Sequence, residues 1–287
     1  MKLLVFLLLP YLSLSEVFTD FSQCSRTFLN NHPPQFTLLT DNSVKHICQC
    51  VWVDIINRQK MYLYATLYNT TGRIPIYSAY VFGSPNVGRC DPWYIEPQLD
   101  LGNNAESCMS PQGHKRNIGK YQTVNSDYDG SGYDRGHLYP VQHTDNHLSM
   151  LATSTLTNAA PQNPTFNQIT WKKHEEDVIK DLKDCKGKAY VVTGVFPDTN
   201  IQIPKYDPRV TVSKYYWRAT CCLKNNKFTG QGYFGPDNNG KVQQLSITDL
   251  QEKLEKDYKA KNIKINDNII IFPSVPSGHK RPLNGCN

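Results

Sequence analysis

Past its first residues the chain has no apolar run long enough to make a membrane helix. It also has no Cys-x-x-Cys pair. Cys48-Gln49-Cys50 and the adjacent Cys221-Cys222 have the wrong gaps, and no paired-histidine spacing accompanies them, so a structural zinc site is not expected. There is no internal repeat, no linker and no low-complexity segment, which argues against an array of modules. The tail Asn284-Gly285-Cys286-Asn287 is polar and argues against a lipid-anchor signal. A strong charge of one sign is missing too. Lys and Arg number 31 against 25 Asp and Glu, a net of +6. Such a balance permits an anionic partner without requiring one.

What is present begins with length and composition. With 287 residues, 39% hydrophobic and 20% charged, the chain can bury a sizeable core in one large domain or two small ones. Met1 to Ser15 has the pattern of a signal peptide: Lys2, the apolar run Leu3 to Leu9, and small residues at Ser13-Leu14-Ser15. Residues 1–15 are therefore expected to be removed, which takes the net charge to about +5. Residues 16–287 are expected to form a single secreted domain with a disulfide-tied N-terminal arm. All nine cysteines (24, 48, 50, 90, 108, 185, 221, 222 and 286) follow that boundary. An oxidising compartment would pair most of them; four bridges leave one over, and the connectivity stays open. Asn69-Thr70-Thr71 is a glycosylation sequon, whereas Pro164 disqualifies Asn163-Pro164-Thr165.

Hydrophobic spacing predicts a short strand plus loop over 47–56, and strands over 61–68 and 73–82. Pro75 suits an edge or the start of its strand. Residues 83–112 read as a long disulfide-stapled loop, and 125–132 as turn chemistry. A helix is expected over 167–184, then a buried strand over 188–196 ended by Pro197, and a long strand over 210–223. Thr248-Asp249-Leu250-Gln251 resembles a capping box opening a helix with Leu250, Leu254 and Tyr258 on one face. Residues 269–272 read as a final strand. Strands and helices mix without βαβ alternation, so the fold class is α+β.

Chemistry concentrates between Tyr133 and Glu175. Asp134-Arg135-Gly136-His137 offers an imidazole for a general base and a planar guanidinium for phosphate, with a glycine turning the backbone between them. Asp134 could orient the imidazole or pair with an arginine. Asn167, Trp171 and Glu175 are spaced four and four, which on an α-helix places an amide oxygen and a carboxylate on one face. Such a pair suits a hydrated hard cation such as Mg2+. His174 should then face away from that side. The remaining histidines have no comparable setting, although His143 and His147 lie close together.

With Asn158-Ala159-Ala160-Pro161-Gln162 between these two segments, the motifs resemble those of the DNA/RNA non-specific endonuclease family, whose site is a ββα-metal (His-Me) finger. Gly130-Ser131-Gly132-Tyr133 and Val191-Val192-Thr193-Gly194 add to the likeness, which covers roughly residues 60 to 275. The signal segment, the cysteines and Ile74 to Tyr80 resemble the secreted animal members, the endonuclease domain-containing proteins. The resemblance implies a mixed, largely antiparallel central sheet flanked by helices. It implies His137 as general base, Arg135 on the phosphate, Asn167 as direct metal ligand and Glu175 holding metal through water. Asn158 and Gln162 would shape the site and contact substrate. Mg2+ is the implied cofactor, with Mn2+ or Ca2+ as alternatives. DNA and RNA are the implied partners, contacted through the phosphate backbone. His174 and Tyr139 depart from the family's usual apolar and small residues. The alternatives are an extracellular nucleic-acid-binding protein of weak or no catalysis, and a disulfide-stapled structural protein carrying relic motifs.

Overall fold

The structure, a computed structural model, describes residues 16–38, 43–57, 59–84, 88, 92–225, 227–238, 240–265, 268–274 and 286. The expected signal segment 1–15 and Cys90 lie outside them. The strands β1 (Val17–Phe18), β2 (Val44–Asp54), β3 (Gln59–Asn69) and β4 (Ile74–Val81) come first. The loop region holds β5 (Tyr94–Ile95), the helical turn α1 (Pro97–Leu101) and β6 (Ser110–Pro111). The turn α2 (Asn125–Tyr128) leads into β7 (Asp134–His137), α3 (His147–Thr153) and β8 (Ala159–Gln162). A π-helical turn, Phe166–Trp171, runs into α4 (Lys172–Leu182). Last come β9 (Ala189–Ile203), β10 (Val210–Lys224), β11 (Lys227–Pro236), β12 (Gln243–Leu245) and α5 (Ile247–Ala260).

Eight strands form one antiparallel sheet in the order β1-β2-β3-β4-β9-β10-β11-β12. The class is α+β. Successive side chains point to opposite faces. On one face Tyr77, Val192, Phe196 and Trp217 pack with Phe21, Phe28 and Phe36 of the N-terminal arm and with Leu250, Leu254 and Tyr258 of α5. Burying a side chain such as Phe36 or Leu254 contributes roughly 1.5–3 kcal/mol. The opposite face carries Tyr80, Val191, Val195 and Tyr216, covered by Leu138, Phe166, Trp171 and Val178. Gly194 allows the sheet its Trp217, because a Cβ there would run into the indole and the Ile76 carbonyl.

Four disulfides pair Cys24 with Cys48, Cys50 with Cys108, Cys185 with Cys222, and Cys221 with Cys286. Cys221 and Cys222 are strand neighbours, so their side chains leave β10 on opposite faces and find different partners. The first bridge ties down the N-terminal arm, and Cys50–Cys108 staples the loop region.

Several element boundaries differ from the sequence reading. Residues 44–54 form a full strand rather than a short piece. The strand expected to stop at Pro197 continues to Ile203; Pro197 sits opposite Ser213 beside a register shift, where a missing N–H is tolerated. The α5 cap is Ser246, whose hydroxyl accepts from Asp249 N at 3.0 Å and donates to Asp249 Oδ2 at 2.7 Å. Ile270 makes only a bridge to Gln35, while Ile269, Ile271 and Phe272 are buried. β11 was not anticipated, since Gly230, Gly232 and Gly235 dilute its apolar alternation.

Two buried carboxyls adjoin the Cys50–Cys108 bridge. Glu96 Oε1 accepts from the Thr157 hydroxyl at 3.2 Å, and Glu16 N donates to Gln98 Oε1 at 2.8 Å. A cluster of Glu16 with these two sulfurs joins metal-ligand types, but the disulfide removes the thiolates a metal needs. Burial, reinforced by the charge of Glu96, pushes Glu16 well above the usual carboxylate range, and burial raises Glu96 as well. The folded protein therefore binds more protons here than the unfolded chain. Stability from the pair is present in acid and lost as pH rises above the ordinary carboxylate range. Glu96→Gln removes one titrating member and should flatten the decline in stability between acid and neutral pH, measured by urea melts. An unchanged pH profile would mean that the pair does not titrate with folding.

Candidate active site

β7 and β8 pair antiparallel, with Asp134 opposite Gln162 and His137 opposite Ala159. The chain then turns into the helix. Asn163 N donates to both Asp237 carboxylate oxygens, at 2.9 and 3.1 Å, and Asn163 Oδ1 accepts from Phe166 N at 3.2 Å. Two strands and a helix so meet at one cleft of about 620 Å3, lined by Arg135, His137, Asn167, Gln168, Lys172 and Glu175 among others.

The helix does not open as an ideal α-helix. Phe166–Trp171 forms a π turn, a wider geometry that recurs at functional sites. Asn167 and Glu175 both reach the cleft, but Trp171 does not share their face. It is 1% exposed and packs on Phe166 and Tyr216, with ring centroids 5.7 and 5.5 Å away. The four-and-four spacing placed all three together; the π turn rotates Trp171 into the core.

Among the described residues, the hydrogen bonds of the Asp134 side chain run to the helix. Its Oδ2 accepts from Asn167 Nδ2 at 2.9 Å and from Gln168 Nε2 at 2.8 Å. The donor side of the Asn167 amide is thereby engaged, which leaves its oxygen available as an acceptor. His137 lies against Trp93, ring centroids 4.8 Å apart. Arg135 is held between aromatic faces, 5.0 Å from the Tyr128 ring and 5.6 Å from Trp93, and its Nη2 donates to Asn125 O at 3.2 Å. Gly136 between them faces Gln162 and the Tyr216 hydroxyl so closely that a Cβ would collide with both.

Asn158 and Gln162, expected from the resemblance to shape the site and contact substrate, are fully buried. Asn158 Oδ1 accepts from Tyr139 N at 3.0 Å, while Nδ2 donates to Tyr139 O at 3.0 Å and Thr153 O at 2.9 Å. Neither lines the cleft. Asn158 hydrogen-bonds the chain just after β7, and Gln162 packs against Gly136.

Glu175 is mostly buried beneath the cleft. Its Oε1 lies 3.3 Å from Nη2 of Arg218, a fully buried arginine on β10. Burial pushes the Glu175 carboxyl up to about 7, against the lowering pull of Arg218. His143 is fully buried beside it. The Glu175 main-chain oxygen, 3.2 Å from His143 Nε2, can only accept, so Nε2 carries the proton. Nδ1 then accepts from the Tyr80 hydroxyl at 2.9 Å. Burial, with Arg218 nearby, holds His143 and His174 well below the ordinary imidazole range. His174 packs on Trp171 and Tyr233, with ring centroids 4.8 and 4.5 Å away.

An imidazole, a guanidinium, an amide oxygen and a carboxylate thus border one cleft. They are the groups that phosphodiester hydrolysis calls on: a base for water, a cation for phosphate charge, and hard oxygens for a divalent cation. The oxygen-only donor set fits Mg2+ better than a thiophilic metal. The sequence reading missed Arg218 and Trp93. Arg218 left a signal, a lone cation inside the apolar run Tyr215 to Cys222, which must find a counter-ion if buried. Trp93 sits in a region that read only as loop.

A family model described as DNA/RNA non-specific endonuclease matches residues 53–269. A curated human relative, endonuclease domain-containing 1 protein of Homo sapiens, is 29% identical over 243 residues, 82% of this chain and 46% of the relative. A nuclease of Nostoc sp. is 32% identical over 141 residues, 49% of this chain and 48% of that protein. A solved structure of an EndoG/EndoGI complex aligns with a TM-score of 0.49 and 19% identity, covering 71% of this chain and 83% of that one. The chain spans about half the length of these curated relatives.

The His143 arrangement has a spectroscopic consequence. Nitrogen-detected NMR should find its Nε2–H tautomer unchanged as pH falls through the ordinary imidazole range. Because the unfolded chain gains that proton and the folded protein does not, His143 and His174 subtract stability as pH drops. A His143 resonance titrating like a solvated histidine would overturn the assignment.

Proposed function

The chain belongs to the DNA/RNA non-specific endonuclease family, and from that membership we propose a secreted, divalent-metal-dependent nuclease that cleaves DNA and RNA with little sequence preference. The observation that carries this reading is the meeting of His137, Arg135, Asn167 and Glu175 around one cleft. His137 accepts the proton of the attacking water, as a neutral imidazole can. Arg135, held flat by Tyr128 and Trp93, faces the phosphate and offsets charge that grows on its oxygens. Asn167 Oδ1 would hold the cation directly, and Glu175 would hold it through water. Mg2+, with Mn2+ or Ca2+ as substitutes, supplies polarisation of the phosphate and stabilisation of the leaving oxygen when bound. Contacts to phosphate carry no base information, which is why sequence preference is weak. The disulfides suit an oxidising compartment, supporting secretion after removal of residues 1–15. Asn69 ends β3, in a turn with Thr71 exposed, as a glycosylation acceptor requires.

An in-gel assay on DNA and on RNA, with and without chelator, tests the proposal. Both substrates should be cut, the chelator should stop both, and rising salt should slow them. Binding without cleavage, or cutting at one sequence, would refute it. His137→Ala should lower the rate by roughly 10²–10⁴-fold without recovery at high Mg2+. Asn167→Ala should lose activity that excess Mg2+ partly restores, and Glu175→Gln should cost roughly 10–100-fold. The wild-type rate should fall as the His137 imidazole becomes protonated. Rescue of His137→Ala but not Asn167→Ala by Mg2+ would reverse the two roles.

A further inference from the structure

We propose that Arg218 is a positioning residue for the cleft: it fixes the Glu175 carboxylate in place and so sets how tightly the site holds its divalent cation. This rests on the nuclease reading above. Arg218 is fully buried on the face of β10 that looks toward the cleft. Among the described residues Glu175 is the one carboxylate within ion-pair distance of it. Its Nε donates to Thr193 Oγ1 at 2.9 Å, and the guanidinium lies 4.9 Å from the Trp171 ring centroid.

Three neighbours therefore leave the guanidinium little freedom. Thr193 sits opposite Arg218 in the β9–β10 ladder and opposite Ser78 in the β4–β9 ladder. Ser78 is itself hydrogen-bonded to Thr66 at 2.8 Å. A row of buried polar side chains thus crosses four strands, ends at Arg218 beside Glu175, and ties the arginine into the middle of the sheet.

Burying a guanidinium is expensive, and replacing a whole buried ion pair by apolar side chains of similar volume is often neutral or stabilising, so folding alone does not call for the Arg218–Glu175 pair. Among the described residues its Nη1 has no hydrogen-bond partner, so the site is not arranged to make the most of arginine for folding. What arginine supplies and an apolar residue cannot is a fixed charge aimed at Glu175 Oε1. Outer carboxylates that orient bound water need such fixing, and losing it typically weakens a metal site about 10–100-fold.

The test measures Mn2+ binding by electron paramagnetic resonance on the full secreted chain, alongside thermal melting, so activity is not the readout. R218M should bind Mn2+ at least about 10-fold more weakly than wild type. R218K, which keeps the charge, should fall between them. E175Q and the double variant R218M/E175Q should bind equally, because an arginine acting only through Glu175 has nothing left to act on. The double variant also removes both buried charges, so it keeps the comparison available should R218M alone leave Glu175 unpaired and fail to fold. Wild-type affinity in R218M, or a further loss in R218M/E175Q beyond E175Q, would overturn the inference while leaving the nuclease reading intact. Absence of any Mn2+ binding that depends on Asn167 would overturn both.

Discussion

The Asp134 carboxylate ties the strand that carries His137 to the helix that carries Asn167 and Glu175. One oxygen accepts from two amides of that helix, at 2.9 and 2.8 Å. Without this tie the His137 imidazole and the Asn167 amide would ride on separate elements, related only through packing. With it, the donor side of the Asn167 amide is committed and its oxygen remains an acceptor. A displacement near 1 Å matters at such a site, because chemistry of this kind depends on alignment of the reacting groups.

The sheet beneath supplies rigidity of another sort. One face is an apolar core sealed by the N-terminal arm and α5. The other carries, within an apolar surround, the polar row from Thr66 to Arg218 that meets Glu175 from below. Two histidines buried there stay neutral, so the arginine is not crowded by further positive charge. Polar groups in a dry interior are costly unless paired, which concentrates them where they hold a functional side chain.

The disulfides hold what the sheet does not. Cys24–Cys48 fastens the arm to β2, and Cys50–Cys108 fastens the loop region that delivers Trp93 to the cleft. Cys221–Cys286 reaches the end of the chain. Since the chain spans about half the length of its curated relatives, what those longer proteins do as wholes is a separate matter from the domain described here.

The α+β class, most of the long strands, both main helices and the identity of the groups at the cleft are legible in the order of residues alone. These rest on local signals: alternation for strands, spacing for helices, and four adjacent residues, Asp134 to His137, that occupy a single short strand. That order did not determine which way those groups point. Trp171 left the face it was expected to share because the π turn, which accompanies packing of Phe166 and Trp171 on Tyr216, has no signature in the spacing. Asn158 and Gln162 went inside because β7 and β8 lie back to back with β10, which no single segment records. Arg218 stands 43 residues from Glu175, and Trp93 stands 44 before His137. Only the tertiary fold joins them, because ion pairing and ring stacking act over a few ångströms of space and are indifferent to separation along the chain.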